Sequence, residues 1–142
     1  MAIEKIMERE SALNVIEEIK NKICEVDLDS ICDDETKIVG GNEAVYKKLV
    51  QAVMCGLVYW DEEKKCLVQK LIRPIKSGEI ERQQLEYKHK VSFGRMKKFK
   101  GENPVDYAIE TIAAITASPK PVIDQLTGQD QQIATGCADF FS

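Results

Sequence analysis

The chain holds one histidine, His89, and any Ser/His/Asp or Cys/His arrangement would have to use it. It stands between Lys88 and Lys90 on a segment that alternates like a strand, the setting of a solvent-facing residue rather than of a base. Five cysteines, at 24, 32, 55, 66 and 137, contain no Cys-x-x-Cys pair, and no His/Cys set offers four zinc ligands. Cys137 shares a helical face with Ile133 and Phe140, which suits a buried apolar role better than a reactive thiol. Asp33-Asp34-Glu35 gathers three carboxylates but lacks the glycine-centred loop and alternating oxygen ligands of a calcium site, so it reads as solvated linker. Gly40-Gly41 before a helix could cradle phosphate through free amides. The Gly-x4-Gly-Lys-Ser/Thr spacing is missing, and a flexible turn is the better reading. No metal and no cofactor is expected, and an enzyme is the least favoured class.

One charged stretch competes for a function. Lys88, Lys90, Arg95, Lys97, Lys98 and Lys100 interleave with Tyr87, Phe93 and Phe99, as a surface contacting a nucleic-acid backbone would. Against this, Phe93, Met96 and Phe99 fit the buried stripe of a short helix, and the whole chain is acidic, with a pI near 5.2. Nucleic acid is therefore the lesser expectation. The net charge of −4 is zoned: −7 over residues 1–36, balanced over 37–62, +8 over 63–100 and −5 over 101–142. Such zoning can steer a partner or drive self-association, and it can equally be neutralised by folding the ends over the middle.

A chain of 142 residues with 44% apolar content can bury one core without a disulfide or a metal. The cysteines read as reduced thiols, Ile3-Glu4-Lys5 runs straight into charge, and the uncharged stretch Leu49 to Trp60 is too short to span a bilayer. A soluble, cytoplasmic protein without membrane contact is expected.

The elements that must position these residues follow from spacing. Ile3, Ile6, Met7, Leu13, Ile16, Ile19 and Ile23 recur at helical intervals and predict an amphipathic helix over 3–26. An acidic linker follows to Thr36. Asn42 is placed to cap a second helix with Val45, Leu49 and Val53 on one face. From Gly56 the period changes. Leu57–Trp60 and Cys66–Arg73 read as strands around a charged turn, Pro74 as the end of the second, and Ile80–Val91 as a third. Ser92–Lys100 reads as a short basic helix. Asn103-Pro104 starts another, with Val105, Ala108, Ile109, Ile112 and Ala113 on one face. Ser118-Pro119-Lys120-Pro121 ends it and starts the next. Thr127-Gly128-Gln129-Asp130 opens the last with a capping spacing. The expectation is an α+β fold, mainly helical, in a single domain over 1–142. It has N-terminal amphipathic helices (an acidic helix and linker over 1–36), a helix plus a small central antiparallel β-meander over 37–91, and a C-terminal cluster of short helices over 92–142.

The order of these features carries a resemblance. Asp106-Tyr-Ala-Ile-Glu-Thr-Ile-Ala-Ala-Ile-Thr, then Pro121-Val-Ile-Asp-Gln-Leu, then Asp130, then Ala138-Asp139-Phe140-Phe141 resembles the end of phage tail assembly chaperones. Leu71-Ile-Arg-Pro74-Ile75 followed by Leu85-Glu-Tyr87 looks like the paired strands of that family, so the resemblance covers about residues 66–141. It departs at Lys88-His89-Lys90, where the family often has Arg-Glu-Pro. The resemblance implies a non-enzymatic factor of a bacterial host's cytoplasm that coats the tape measure protein during tail morphogenesis. It would give way as tail tube protein polymerises. The partner-binding set expected on this reading is Ile109, Ile112, Ile133, Phe140 and Phe141, with Arg95, Lys97 and Lys98 steering encounter; plain core is the competing role for the set and the preferred one for the isoleucines. The alternative is a virion structural or adaptor protein of a phage tail.

Overall fold

The computed structural model describes residues 3–23, 43–88, 90, 92–96 and 103–141. Two amphipathic helices come first, α1 (Arg9–Ile23) and α2 (Glu43–Met54). Ala12, Ile16, Ile19 and Ile23 of α1 are buried, the i, i+4, i+7, i+11 spacing of one helical stripe. The helix begins at Arg9 and not at Ile3, as the spacing predicted. The residues before it do another job: the N–H groups of Ile6 and Met7 both donate to the Met54 carbonyl, at 2.8 and 3.2 Å. They thereby satisfy one of the carbonyls that the end of α2 leaves open. Ile3 and Ile6 consequently stay exposed, at 36% and 67%. The predicted linker, residues 24–26 of the first helix and the Asn42 cap lie outside the described residues.

α2 closes at Gly56, whose φ of +73° is the left-handed conformation that side chains resist. Gly56 N–H donates to the Val53 carbonyl and Leu57 N–H to that of Ala52, at 3.1 and 2.9 Å, the double closure of a Schellman motif. The chain turns there into the sheet.

The sheet is the predicted meander, β1 (Val58–Asp61), β2 (Cys66–Ser77) and β3 (Ile80–Tyr87), antiparallel in the order β1-β2-β3. Asp61 shapes the first turn, its Oδ1 accepting from the N–H groups of Glu63 and Lys64 at 3.0 and 3.1 Å. Lys22 of α1 and Lys65 both bond Glu62 in that turn and hold its carboxyl down at about 2. Two of the predicted boundaries move. Pro74 does not end β2, which runs on to Ser77 across a register break between Lys70 and Ile75. Proline has no N–H to give a ladder, so it is tolerated where the ladder is already broken. β3 stops at Tyr87 rather than Val91, level with the start of β2, and the next N–H, that of Lys88, donates to the Ile115 carbonyl at 3.1 Å.

Among the described residues four helices follow: α3 (Phe93–Met96), α4 (Pro104–Thr116), α5 (Lys120–Asp124) and α6 (Gly128–Asp139). Asn103 caps α4 as its sequence requires, with Oδ1 accepting from Asp106 N–H at 2.9 Å. Beyond Met96 the predicted basic helix lies outside the described residues. α6 packs on both α2 and β2. Its Gly136 permits that approach, since a Cβ there would stand 3.3 Å from Leu49 Cβ and 3.5 Å from Val45 Cγ1. The core joins Ile16 and Ile19 of α1, Leu49 and Val53 of α2, Leu67 and Leu85 of the sheet, and Ile115, Val122 and Ile133 of the C-terminal helices. The fold is α+β and mainly helical.

Candidate functional site

The C-terminal helices were expected to pack or to bind, and Asp130 was expected to cap α6. It does something else. Thr127, at the N-cap, makes no side-chain capping bond. The Asp130 carboxylate, on a residue only 2% exposed, reaches to β2 and accepts from Ile72 N–H and Arg73 N–H, each at 2.9 Å. Those two amides belong to the register break, where consecutive residues of β2 lack ladder partners. The backbone is engaged as well: Gln69 Nε2 donates to the Asp130 carbonyl at 3.1 Å, and the Tyr87 hydroxyl donates to Gln69 Oε1 at 2.6 Å. Gln69 and Tyr87 are both fully buried. One continuous polar chain therefore links β3, β2 and the start of α6.

Burial sets the chemistry of this cluster. It pushes the Tyr87 phenol well above its ordinary range, with the neighbouring Cys137 thiol and Asp130 adding to the shift. It likewise pushes the Cys137 thiol up, more than the bond to Tyr87 lowers it. A thiol held protonated is a poor nucleophile, so Cys137 acts as a small apolar residue of the core, in line with its spacing. The network fixes α6 against the sheet.

The residues expected to bind a partner divide into three groups. Ile112, Ile133 and Phe140 are core residues, exposed by 6%, 1% and 5%; for the isoleucines this is the core role already preferred, and for Phe140 it corrects the assignment to a partner surface. The apolar stripes of α4 and α6 face each other and the sheet, which leaves these side chains nothing to offer outward. Ile109 and Phe141 are half-buried, and the Phe141 ring stacks on Tyr87 with centroids 6.2 Å apart. Arg95 is exposed, while Lys97 and Lys98 lie outside the described residues.

Spacing puts Val105 on the same face of α4 as Ile109, Ile112 and Ala113; the structure leaves it 60% exposed, with Tyr107 at 38%. The buried residues of α4 are all in its second half, Ile112 to Ile115. A signal was available: α4 carries apolar residues around most of its circumference, more than one packed face can cover. Val105 and Ile109, one turn apart, form a ridge at the open end of the helix.

Grooves also lie along α1, α2 and β1. One of about 610 Å³ runs along α2 beside Tyr46, Val50 and Met54, with Arg9 and Lys47 on its rim. Another of about 440 Å³ lies between α1 and β1, lined by Ile6, Val15, Tyr59 and Trp60. Trp60 Nε1 is buried there without a hydrogen-bond partner among the described residues. The Lys70 ammonium sits 5.7 Å from the centre of the Tyr59 ring. Among the described residues no group of three or more His, Cys, Asp or Glu is placed to hold a metal ion, and no helix is long and apolar enough to cross a membrane. No family model, curated protein or solved structure matches the chain.

Proposed function

We propose that this chain is a non-enzymatic assembly chaperone that covers apolar helical segments of a long client, the role played by phage tail assembly chaperones for the tape measure protein. The observation that carries the reading is the ridge of Val105 and Ile109 at the start of α4, with Val105 60% exposed. It lies within the segment that carries the resemblance, and it presents apolar side chains at helical spacing. An amphipathic client helix reads such a ridge through its own i and i+4 positions. Each contact is weak, as a coat that must later yield to tube subunits requires.

The test is co-expression with a long, helix-rich tape measure protein. The chaperone reading expects a higher soluble yield of that client and its co-purification with the chain. Val105→Glu, at an exposed position, should reduce co-purification several-fold while leaving the melting temperature within a few degrees. An unchanged client yield without co-purification would refute the reading, and an undiminished complex with the variant would move the contact elsewhere.

A further inference from the structure

The outer edge of β3 is built differently from the rest of the sheet. Lys70 N–H donates to the Leu57 carbonyl at 2.7 Å, so at this position the β2 backbone faces β1. Lys70 pairs with Gln84, and Val68 with Glu86. In an antiparallel ladder the amides and carbonyls of those β3 residues then point away from β2. Lys88, the next residue in that alternation, shows the direction, because its N–H leaves the sheet for the Ile115 carbonyl. Among the described residues no backbone group meets the outward N–H and C=O of Gln84 or Glu86. A groove of about 420 Å³ runs beside this edge from Glu81 to Lys88, with Thr116 to Ser118 as its far wall.

The side chains choose what fills it. Arg82, Gln84 and Glu86 alternate along one side of β3, and Arg82 has no ion-pair partner among the described residues. Glu86 is held on that side by Lys64 at 3.3 Å. If a second β3 pairs antiparallel about a two-fold axis at Gln84, each Arg82 stands opposite the other copy's Glu86. Symmetry makes that opposite-charge pair twice. Centring the pair on Glu86 would set Glu against Glu, and centring it on Leu85 would set Arg82 against Lys88. Of the centres along β3, Gln84 alone sets Arg82 against Glu86. We infer that β3 is the surface through which two copies of this chain pair, antiparallel and centred on Gln84, extending the three-stranded sheet to six. The inference rests on the sheet edge and is independent of the α4 ridge.

Sedimentation equilibrium of the full chain tests it. A reversible two-copy species is expected, weakened at least about tenfold by Arg82→Glu, since like charges then face each other twice. The double variant Arg82→Glu/Glu86→Arg should restore it. Where Glu86→Arg fails to fold, hydrogen exchange on the unaltered chain replaces it, and the Gln84 and Glu86 amides should become more protected as concentration rises. A chain that stays single at every soluble concentration overturns the inference. So does a two-copy species indifferent to Arg82→Glu, or fast exchange at both amides whatever the concentration.

Discussion

β2 and β3 both carry backbone groups that the ladder leaves unpaired, β2 at its register break and β3 along its outer edge, and the two sets are treated in opposite ways. At the register break between Lys70 and Ile75, the loose amides of β2 at Ile72 and Arg73 are taken by the buried Asp130 carboxylate. Along β3 the outward groups of Gln84 and Glu86 meet no described backbone partner and border a groove. Covering a strand with a helix is a known way to close it against further pairing, and here α6 also supplies the acceptor. Desolvating a carboxylate costs several kcal/mol unless hydrogen bonds compensate, so closing the first edge was not free. Leaving the second open is then informative, for an exposed edge invites another strand.

The largest expected effect follows from the closed edge. Asp130→Ala leaves two backbone donors without an acceptor in a part-buried setting and should cost about 3–5 kcal/mol in urea denaturation. Asp130→Asn keeps one oxygen as acceptor and should cost less. A loss below about 1 kcal/mol for the alanine variant would mean that water closes this edge equally well, and the contrast with β3 would disappear.

The comparison also marks what a sequence can disclose. The C-terminal helices were legible because their punctuation is local: Asn103-Pro104 and Ser118-Pro119 act within one turn of themselves. The meander was legible for the same reason, through alternation and turn residues. Asp130 was misread because a carboxylate three residues after Thr127 fits a capping box equally well. Its true partners are 57 and 58 residues away in sequence, at a break that no period announces. Pro74 was taken as a stop for want of the same knowledge. Ile112, Ile133 and Phe140 carry two readings, contact or core, because helical spacing names an apolar face without saying what covers it. Val105 shows the converse, a residue of the same apolar face that the packing leaves out.

A smaller effect is expected at the wall of the β3 groove. Ala117 ends α4 in the left-handed conformation, φ 51° and ψ 41°, and Ser118 N–H closes back on the Ala113 carbonyl at 3.0 Å. This is the closure that Gly56 performs for α2, made here by a residue with a Cβ. Left-handed backbone costs a non-glycine residue about 1–2 kcal/mol, while glycine gives back about 0.4–1 through the unfolded chain. Ala117→Gly should therefore stabilise the protein by up to about 1 kcal/mol in thermal denaturation. A loss instead would show that the alanine methyl packs against the groove wall and helps to shape it.

The smallest effect sharpens what makes a buried carboxylate tolerable. Asp139 sits at the opposite end of α6 from Asp130, where the helix dipole is negative, and burial raises its carboxyl above the ordinary value of 3.8. A raised carboxylate means that the fold disfavours its charged form. Below the unfolded pKa the group is neutral in both states and contributes nothing. As pH rises through the window between the unfolded and the raised folded value, stability falls, and the penalty is complete above it. Asp139→Asn removes the charge, so the variant should match the parent at the acid end and exceed it slightly at neutral pH. The residue is only half-buried, and solvent screening keeps the difference small. Melting temperatures of both proteins across the acid range decide the point. A variant less stable than its parent at neutral pH would show that Asp139, like Asp130, has donors worth keeping.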